Sequence, residues 1–237
     1  MRHLTGAMVL CLLLVQDPAG VLGQEIRRGA FESAGLDLPF SPDGVADASD
    51  DEAIAQGVRF YGLDGSGHVV IFVIDRSQSM AGIDLVMAKR EVLRSIEALS
   101  SEIEFGLVLF NAERIDKFPR RGRPAMAEPG NKVAARSFVE AVTAAGGTCA
   151  GTALVAALRM ADQVEKGPAT IFYLGDGMTN CSRDKTQAEY ALSVLNLVRA
   201  KNAAGHTIHT ITLGKGSDQG FARALATQNG GIHHHVD

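Results

Sequence analysis

The chain has 237 residues, of which 46% are hydrophobic and 21% are charged, and its formal net charge is −4. This is enough apolar material for one sizeable core, and the length fits one domain with extensions. The negative net charge argues against non-specific nucleic-acid binding, and no apolar run reaches the ~18 residues that cross a bilayer as a helix.

The first 56 residues divide into two segments with different predicted roles. Residues 1–23 combine a short basic start, an apolar run over 9–15 and the ending Val21-Leu22-Gly23, which is the pattern of a signal peptide cleaved after Gly23. A membrane anchor or a misplaced start is the alternative interpretation. Residues 24–56 are acidic and poor in large apolar residues, so we expect a flexible tether. The mature chain is then secreted or periplasmic, without a transmembrane segment, in a compartment where disulfides persist.

Residues 57–237 form the predicted domain, in which strand and helix patterns alternate. Strands are predicted over 58–61 (turning at 64–65), 69–74, 104–110, 115–118, 169–174, 207–213 and 232–236. Helices are predicted over 83–99, 131–145, 151–164, 187–201 and 218–227. The connection between 104–110 and 115–118 is too short for a helical crossover, so these two strands are expected to be antiparallel. The fold class is therefore α/β, doubly wound, with a mostly parallel central sheet and one antiparallel edge strand.

The most informative segment is the unbroken apolar run over 69–74, which is followed by Asp75, Ser77 and Ser79 at alternate positions. A β-branched run without alternation is typical of a strand buried on both faces. Two further segments are expected at the same edge of the sheet: Thr148 follows a helix, and Asp176 follows a strand. Ligands of open α/β sheets bind beyond the carboxyl ends of the strands. Two carboxylates and three hydroxyls are hard oxygen donors that suit Mg²⁺, or Mn²⁺ or Ca²⁺, and leave one coordination position open. Each residue taken alone is more simply a helix cap or a turn residue.

In this order and spacing, the five residues resemble the metal-ion-dependent adhesion site of the von Willebrand factor A family, over residues from His68 to the C-terminus. Asp75-Arg76-Ser77-Gln78-Ser79 looks like the family's Asp-x-Ser-x-Ser element. Thr148 in Gly-Gly-Thr and Asp176 in Gly-Asp-Gly match its threonine and aspartate. The resemblance implies a Rossmann-like fold and a divalent cation that binds a protein ligand. The narrower likeness is to secreted bacterial members.

The leading functional hypothesis is a binding module, not an enzyme: the cation captures a carboxylate of a partner protein. Asp75 and Asp176 supply charge, the hydroxyls fix geometry, and five residues are expected at the rim of the site: Arg76, Gln78, Met178, Thr179 and Asn180. A metal-dependent hydrolase, or an accessory subunit of an enzyme assembly, is the first alternative. A cation that only braces the loops is the second. No histidine that could serve as a general base lies in the matched loops.

Two remaining groups of residues have a structural and a functional interpretation. Cys149 and Cys181 adjoin two of the matched loops, so a disulfide is expected if those loops meet at one cation, with two free thiols as the alternative. His233-His234-His235 is interpreted as an edge strand rather than a metal tract. The basic loop of Arg120, Arg121 and Arg123 is interpreted as a solvated turn, with a secondary docking patch as the alternative.

Overall fold

The computed structural model describes residues 57–237, except residues 178, 180, 183 and 216. The predictions of a signal peptide over 1–23 and a tether over 24–56 lie outside the described residues, and so do Met178 and Asn180. The start of the domain at residue 57 stays a prediction.

The described chain contains nine strands, five α-helices and one 3₁₀ helix. The strands are β1 Gly57–Phe60, β2 Leu63–Ser66, β3 Val69–Asp75, β4 Glu104–Phe110, β5 Ile115–Phe118, β6 Ala125–Met126, β7 Thr170–Gly175, β8 Thr207–Leu213 and β9 His233–Val236. The helices are α1 Ile83–Ala98, α2 Pro129–Glu140, α3 Ala150–Ala161, α4 Gln187–Lys201 and α5 Gln219–Gln228, and the 3₁₀ helix is Gln78–Met80.

The predicted fold class is confirmed. The main sheet has the order β5-β4-β3-β7-β8-β9, and β6 also pairs with β4. Strands β4, β3, β7, β8 and β9 pair in parallel, whereas β5 is antiparallel to β4. All seven residues of β3 are buried, because helices cover both faces of this central strand. Parallel pairing brings the carboxyl ends of β3, β4 and β7 to one edge of the sheet.

Each face of the sheet has its own core. Val70, Phe72 and Ile74 of β3 belong to a cluster with residues of α1, α2 and the β1–β2 hairpin. The alternate residues Val69 and Ile71 belong to the second cluster, which includes residues of α3, α4 and α5. The two layers therefore follow directly from the alternation of side chains along a strand. None of the helices in the described ranges is both long enough and apolar enough to span a bilayer.

The predicted boundaries differ most from the structure at two places. The helix predicted over 131–145 ends at Glu140, and residues 141–147 form an irregular segment. This segment is fixed by tertiary contacts, since Lys89 Nζ donates hydrogen bonds to the carbonyl oxygens of Glu140 and Val142. The turn predicted at 64–65 lies at Tyr61-Gly62, while Gly65 pairs with Val58 inside the hairpin. Sequence reasoning also missed the short strand β6.

Candidate functional site

Three of the predicted site residues, Asp75, Ser77 and Ser79, contact one another at the end of the central strand β3. Asp75 is the last residue of β3 and is fully buried. Its Oδ1 accepts a hydrogen bond from the Ser77 backbone N–H at 2.7 Å. The hydroxyl oxygens of Ser77 and Ser79 lie 3.0 Å apart. Ser77 is buried and Ser79 is exposed, so the row of oxygen atoms extends from the buried Asp75 carboxylate to the protein surface.

Asp176 reaches the same place from the neighbouring strand. It directly follows β7, which pairs with β3 in parallel so that Leu174 lies opposite Ile74, and it is only 6% exposed. A Cβ placed on Gly175 would lie 3.2 Å from Asp75 Oδ2, so the missing side chain leaves room between the two strand ends. Two carboxylates are therefore buried side by side.

The electrostatics of Asp75 reflect this crowding. Burial raises the pKa of Asp75 to about 7, and the negative charge of Asp176 acts in the same direction, against hydrogen bonds from Ser77. Asp75 Oδ2 is buried and has no hydrogen-bond partner within the described part of the chain. A buried carboxylate oxygen without a donor is costly, and a cation bound there would remove that cost.

Thr148 is brought to this edge by the backbone that precedes it. The Ala145 N–H donates to the carbonyl oxygen of Arg76 at 2.9 Å, and the Gln78 N–H donates to that of Gly146 at 2.8 Å. The Ala112 N–H donates to that of Gly147 at 2.7 Å. The segment before Thr148 is thus bonded to the loops that follow both β3 and β4. Thr148 itself is 8% exposed.

The predicted disulfide is confirmed. Cys149 and Cys181 are bonded, with their Cα atoms 5.1 Å apart. The Tyr190 hydroxyl lies 3.3 Å from the sulfur of Cys149 and 2.7 Å from that of Cys181. The bridge links the residue after Thr148 to the loop that follows Asp176. The Thr179 hydroxyl of this loop also accepts a hydrogen bond from the Ala150 N–H at 3.3 Å.

The expected rim needs correction at two positions. Arg76 and Thr179 are buried, with 7% and 1% exposure, so they support the loops from inside. Gln78 is exposed, as a rim residue must be. Sequence reasoning missed Asn111, whose side-chain N–H donates to the Ala145 carbonyl oxygen at 2.8 Å and whose Oδ1 accepts from two backbone N–H groups. The signal was available, because Asn111 is a polar residue directly after the buried strand β4.

The residues present fit a hard divalent cation. The two buried carboxylates provide two negative charges, and the hydroxyl oxygens of Ser77 and Ser79 lie in the loop that follows Asp75. The described residues contain no group of three or more His, Cys, Asp or Glu side chains that could hold a metal, so the cation would depend on hydroxyl ligands. The histidine tract is an edge strand, as predicted, with His233 Nδ1 and Thr210 Oγ1 3.0 Å apart.

Comparison with known proteins gives a consistent family assignment. A family model described as the von Willebrand factor type A domain matches residues 68–235. Human inter-alpha-trypsin inhibitor heavy chain H4 is 32% identical over 171 residues, which are 69% of this chain and 17% of that protein. The chain thus spans less than a fifth of the length of the curated relatives it matches.

Solved structures share the fold at low identity. A von Willebrand factor type A protein from Catenulispora acidiphila superposes with a TM-score of 0.62 at 22% identity, over 73% of this chain and 40% of that chain. The pilus adhesin SpaC from Lactobacillus rhamnosus GG gives 0.56 at 11% identity, over 72% and 28%. Proximal thread matrix protein 1 from the mussel byssus, described with a zinc-occupied metal-ion-dependent adhesion site, gives 0.53 at 19% identity, over 71% and 41%.

Proposed function

This chain belongs to the von Willebrand factor type A family, and from that premise we propose that it is a metal-dependent protein-binding module. A divalent cation, Mg²⁺ or alternatively Mn²⁺ or Ca²⁺, is held by five residues at the carboxyl edge of the sheet: Asp75, Ser77, Ser79, Thr148 and Asp176. The bound cation supplies a Lewis-acidic position that takes up a carboxylate of a partner protein.

The observation that carries this proposal is the burial of two neighbouring carboxylates at one sheet edge. Asp75 and Asp176 are almost inaccessible to solvent, and Asp75 Oδ2 has no hydrogen-bond partner in the described ranges. Two like charges at such a place are unfavourable unless a cation compensates them. Loops that are cross-linked by a disulfide and by backbone hydrogen bonds hold these residues before any ligand arrives. Preorganisation of this kind supports binding.

The relatives support a module for protein contacts. One solved neighbour is described as a pilus adhesin, and another as having zinc at its metal-ion-dependent adhesion site. Their identity to this chain is below 25%, so the partner and the cation of this chain are argued from its own residues. We propose an extracytoplasmic location for the mature chain, from the signal-like start at residues 1–23.

Calorimetric titration with Mg²⁺ tests the site. Wild type should bind one cation, and Asp75→Ala should abolish binding because one of two ligand charges is lost. Ser77→Ala and Thr148→Ala should weaken binding less, since each removes a neutral ligand. The matched control is Asp64→Ala, which removes an exposed carboxylate that pairs with Arg59 in the hairpin. Equal affinity in wild type and Asp75→Ala would show that the cation binds elsewhere.

Partner capture is tested separately, by affinity purification from the native secretome with Mg²⁺ or with chelator. Partners that carry the proposed carboxylate should be retained with Mg²⁺, released by chelator, and absent from the Asp75→Ala eluate. Retention that chelator does not change would leave the cation with a bracing role only.

A further inference from the structure

A second surface lies beside the proposed cation site. A groove of about 1000 Å³ runs between the edge strand β5 and helix α2. Its apolar part is formed by Phe118 and Phe138, whose rings lie 5.9 Å apart. Within the described chain, none of the five proposed cation ligands lines this groove.

The groove is strongly cationic. Three positively charged side chains line it, Arg76, Arg114 and Arg120, against the single carboxylate of Asp116. Asp116 is already paired, since Arg114 lies 2.5 Å and Arg76 3.6 Å from its oxygens. The whole chain has a net charge of −4, so this concentration of positive charge runs against its overall balance. A surface of this sign attracts acidic ligands and raises their association rate.

Arg76 adds a second observation at the end of the groove nearest the cation site. Its side chain is more than nine-tenths buried, and Nη1 donates to the carbonyl oxygen of Thr143 at 3.2 Å. Arg76 Nε is buried without a hydrogen-bond partner among the described residues. A buried guanidinium N–H without an acceptor is costly. A carboxylate bound in the groove would offset this cost through its charge.

We propose that this groove binds an extended acidic peptide segment of a partner protein, in which carboxylates alternate with apolar side chains. The alternation sends side chains to opposite sides of an extended backbone, which suits an apolar floor with cations along it. The four residues of β5 span about 13 Å, so an extended segment of about four residues covers the length of this strand. A sulfated glycan or a nucleic acid would satisfy the charges but would leave Phe118 and Phe138 without apolar contacts. This inference goes beyond the proposed cation site and does not depend on it.

The test uses fluorescence polarisation at low salt with chelator present. The probe is a labelled synthetic peptide that alternates Glu with Phe and Leu, and the reference ligands are a Glu-Ser peptide of equal charge and a heparin fragment. Two variants disturb the groove in different ways. Arg114→Glu combined with Arg120→Glu reverses its charge, while Ser137→Trp fills it from an exposed position of α2. The control is Arg223→Glu, the same charge reversal on α5, on the opposite face of the sheet.

The Glu-Phe-Leu peptide should bind saturably, and both groove variants should raise its Kd at least about tenfold, whereas Arg223→Glu should leave it unchanged. Mg²⁺ titration should be the same in all four proteins, so a failure here is distinguishable from failure of the cation site. The proposal is overturned if no peptide binds saturably. It is also overturned if the Glu-Ser peptide or heparin binds as tightly as the probe and Ser137→Trp has no effect, because the surface would then be a general polyanion patch.

Discussion

The buried carboxylate of Asp75 should make the metal-free protein less stable as the pH rises. Its pKa is about 7 in the folded protein, against an ordinary value of 3.8. The folded state therefore holds this proton more tightly than the unfolded chain does. The stabilisation that the proton provides is fully present below pH ~4 and is lost as the pH rises through about 7. The difference between these pKa values corresponds to about 4 kcal/mol, of which more than half is lost between pH ~5 and pH ~8.

Asp75→Asn isolates this effect, because the amide keeps an oxygen for the Ser77 N–H but cannot ionise. The measurement is urea unfolding of wild type and variant in chelator at pH ~5 and pH ~8. Other groups also contribute to the pH dependence, among them His209 and His233, whose pKa values are lowered chiefly by burial. Their contributions cancel when the pH dependence of the variant is subtracted from that of wild type. The remaining difference should be about 2–3 kcal/mol, with wild type losing more stability at high pH.

The cation should reverse this loss. At pH ~8, Mg²⁺ at a hundred times its Kd should stabilise wild type by about 2.7 kcal/mol, and the stabilisation should be smaller at pH ~5, where the proton competes. Asp75→Asn should gain much less. Parallel pH curves for wild type and variant would refute the argument from burial, and equal stabilisation of both proteins by Mg²⁺ would place the cation elsewhere.

Three further changes test the framework of the site. Gly177→Ala should lower the free energy of unfolding by about 1–3 kcal/mol and weaken Mg²⁺ binding, because φ is +77° and the added Cβ would collide with a backbone carbonyl. The control is Gly62→Ala, at φ +79° with open space around it. In the same denaturation and titration assays, it should lose less stability and leave Mg²⁺ binding unchanged. Replacing Cys149 and Cys181 together by Ser should lower the stability by about 2–4 kcal/mol and weaken Mg²⁺ binding in non-reducing buffer, and a variant as stable as wild type would contradict this. Lys132→Met should cost about 1 kcal/mol in urea unfolding, since its Nζ donates to the carbonyl oxygens of residues 97 and 99 at the end of α1, without changing Mg²⁺ binding.

The elements that sequence reasoning located best are those whose own residues determine them. The strands over 104–110 and 207–213 have the predicted bounds, and each is buried on both faces of the sheet at all but its first residue. Helix α4 also has its predicted bounds. Its start is fixed locally, since the Thr186 hydroxyl accepts from the Glu189 N–H and the Glu189 carboxylate accepts in return from the Thr186 N–H.

The errors occurred where distant residues decide the structure. Asp64-Gly65 is a typical turn sequence, yet Gly65 lies inside β2. Glycine is required at this position because a Cβ would come within 2.8 Å of Thr170 and 2.9 Å of Phe172. That glycine serves close packing, and the turn falls on Tyr61-Gly62, where both residues have positive φ. The irregular chain after α2 likewise depends on Lys89 from another helix. No local pattern contains this information.

The candidate site shows the same division. Asp75, Ser77 and Ser79 could be recognised because they are close in sequence and follow the most apolar strand. The burial of Arg76, between the first two of them, could not, because it depends on the distant residues Thr143 and Asp116. The Arg76 side chain lines the groove, and its backbone belongs to the loop of the proposed cation site. Arg76 therefore adjoins both the groove and that site.

The charge of the ligand set bears on what the site can bind. At the proposed cation site, the carboxylates of Asp75 and Asp176 would neutralise a divalent cation, and the hydroxyls of Ser77, Ser79 and Thr148 would add oxygen ligands without charge. A partner carboxylate then approaches a centre with no excess negative charge. A third acidic ligand would make the centre negative and repel it, by about 4 kcal/mol for unit charges 4 Å apart at an effective dielectric constant of 20. Hydroxyl ligands therefore keep the cation bound while leaving it attractive to an acidic partner, which is the property that the proposed function requires.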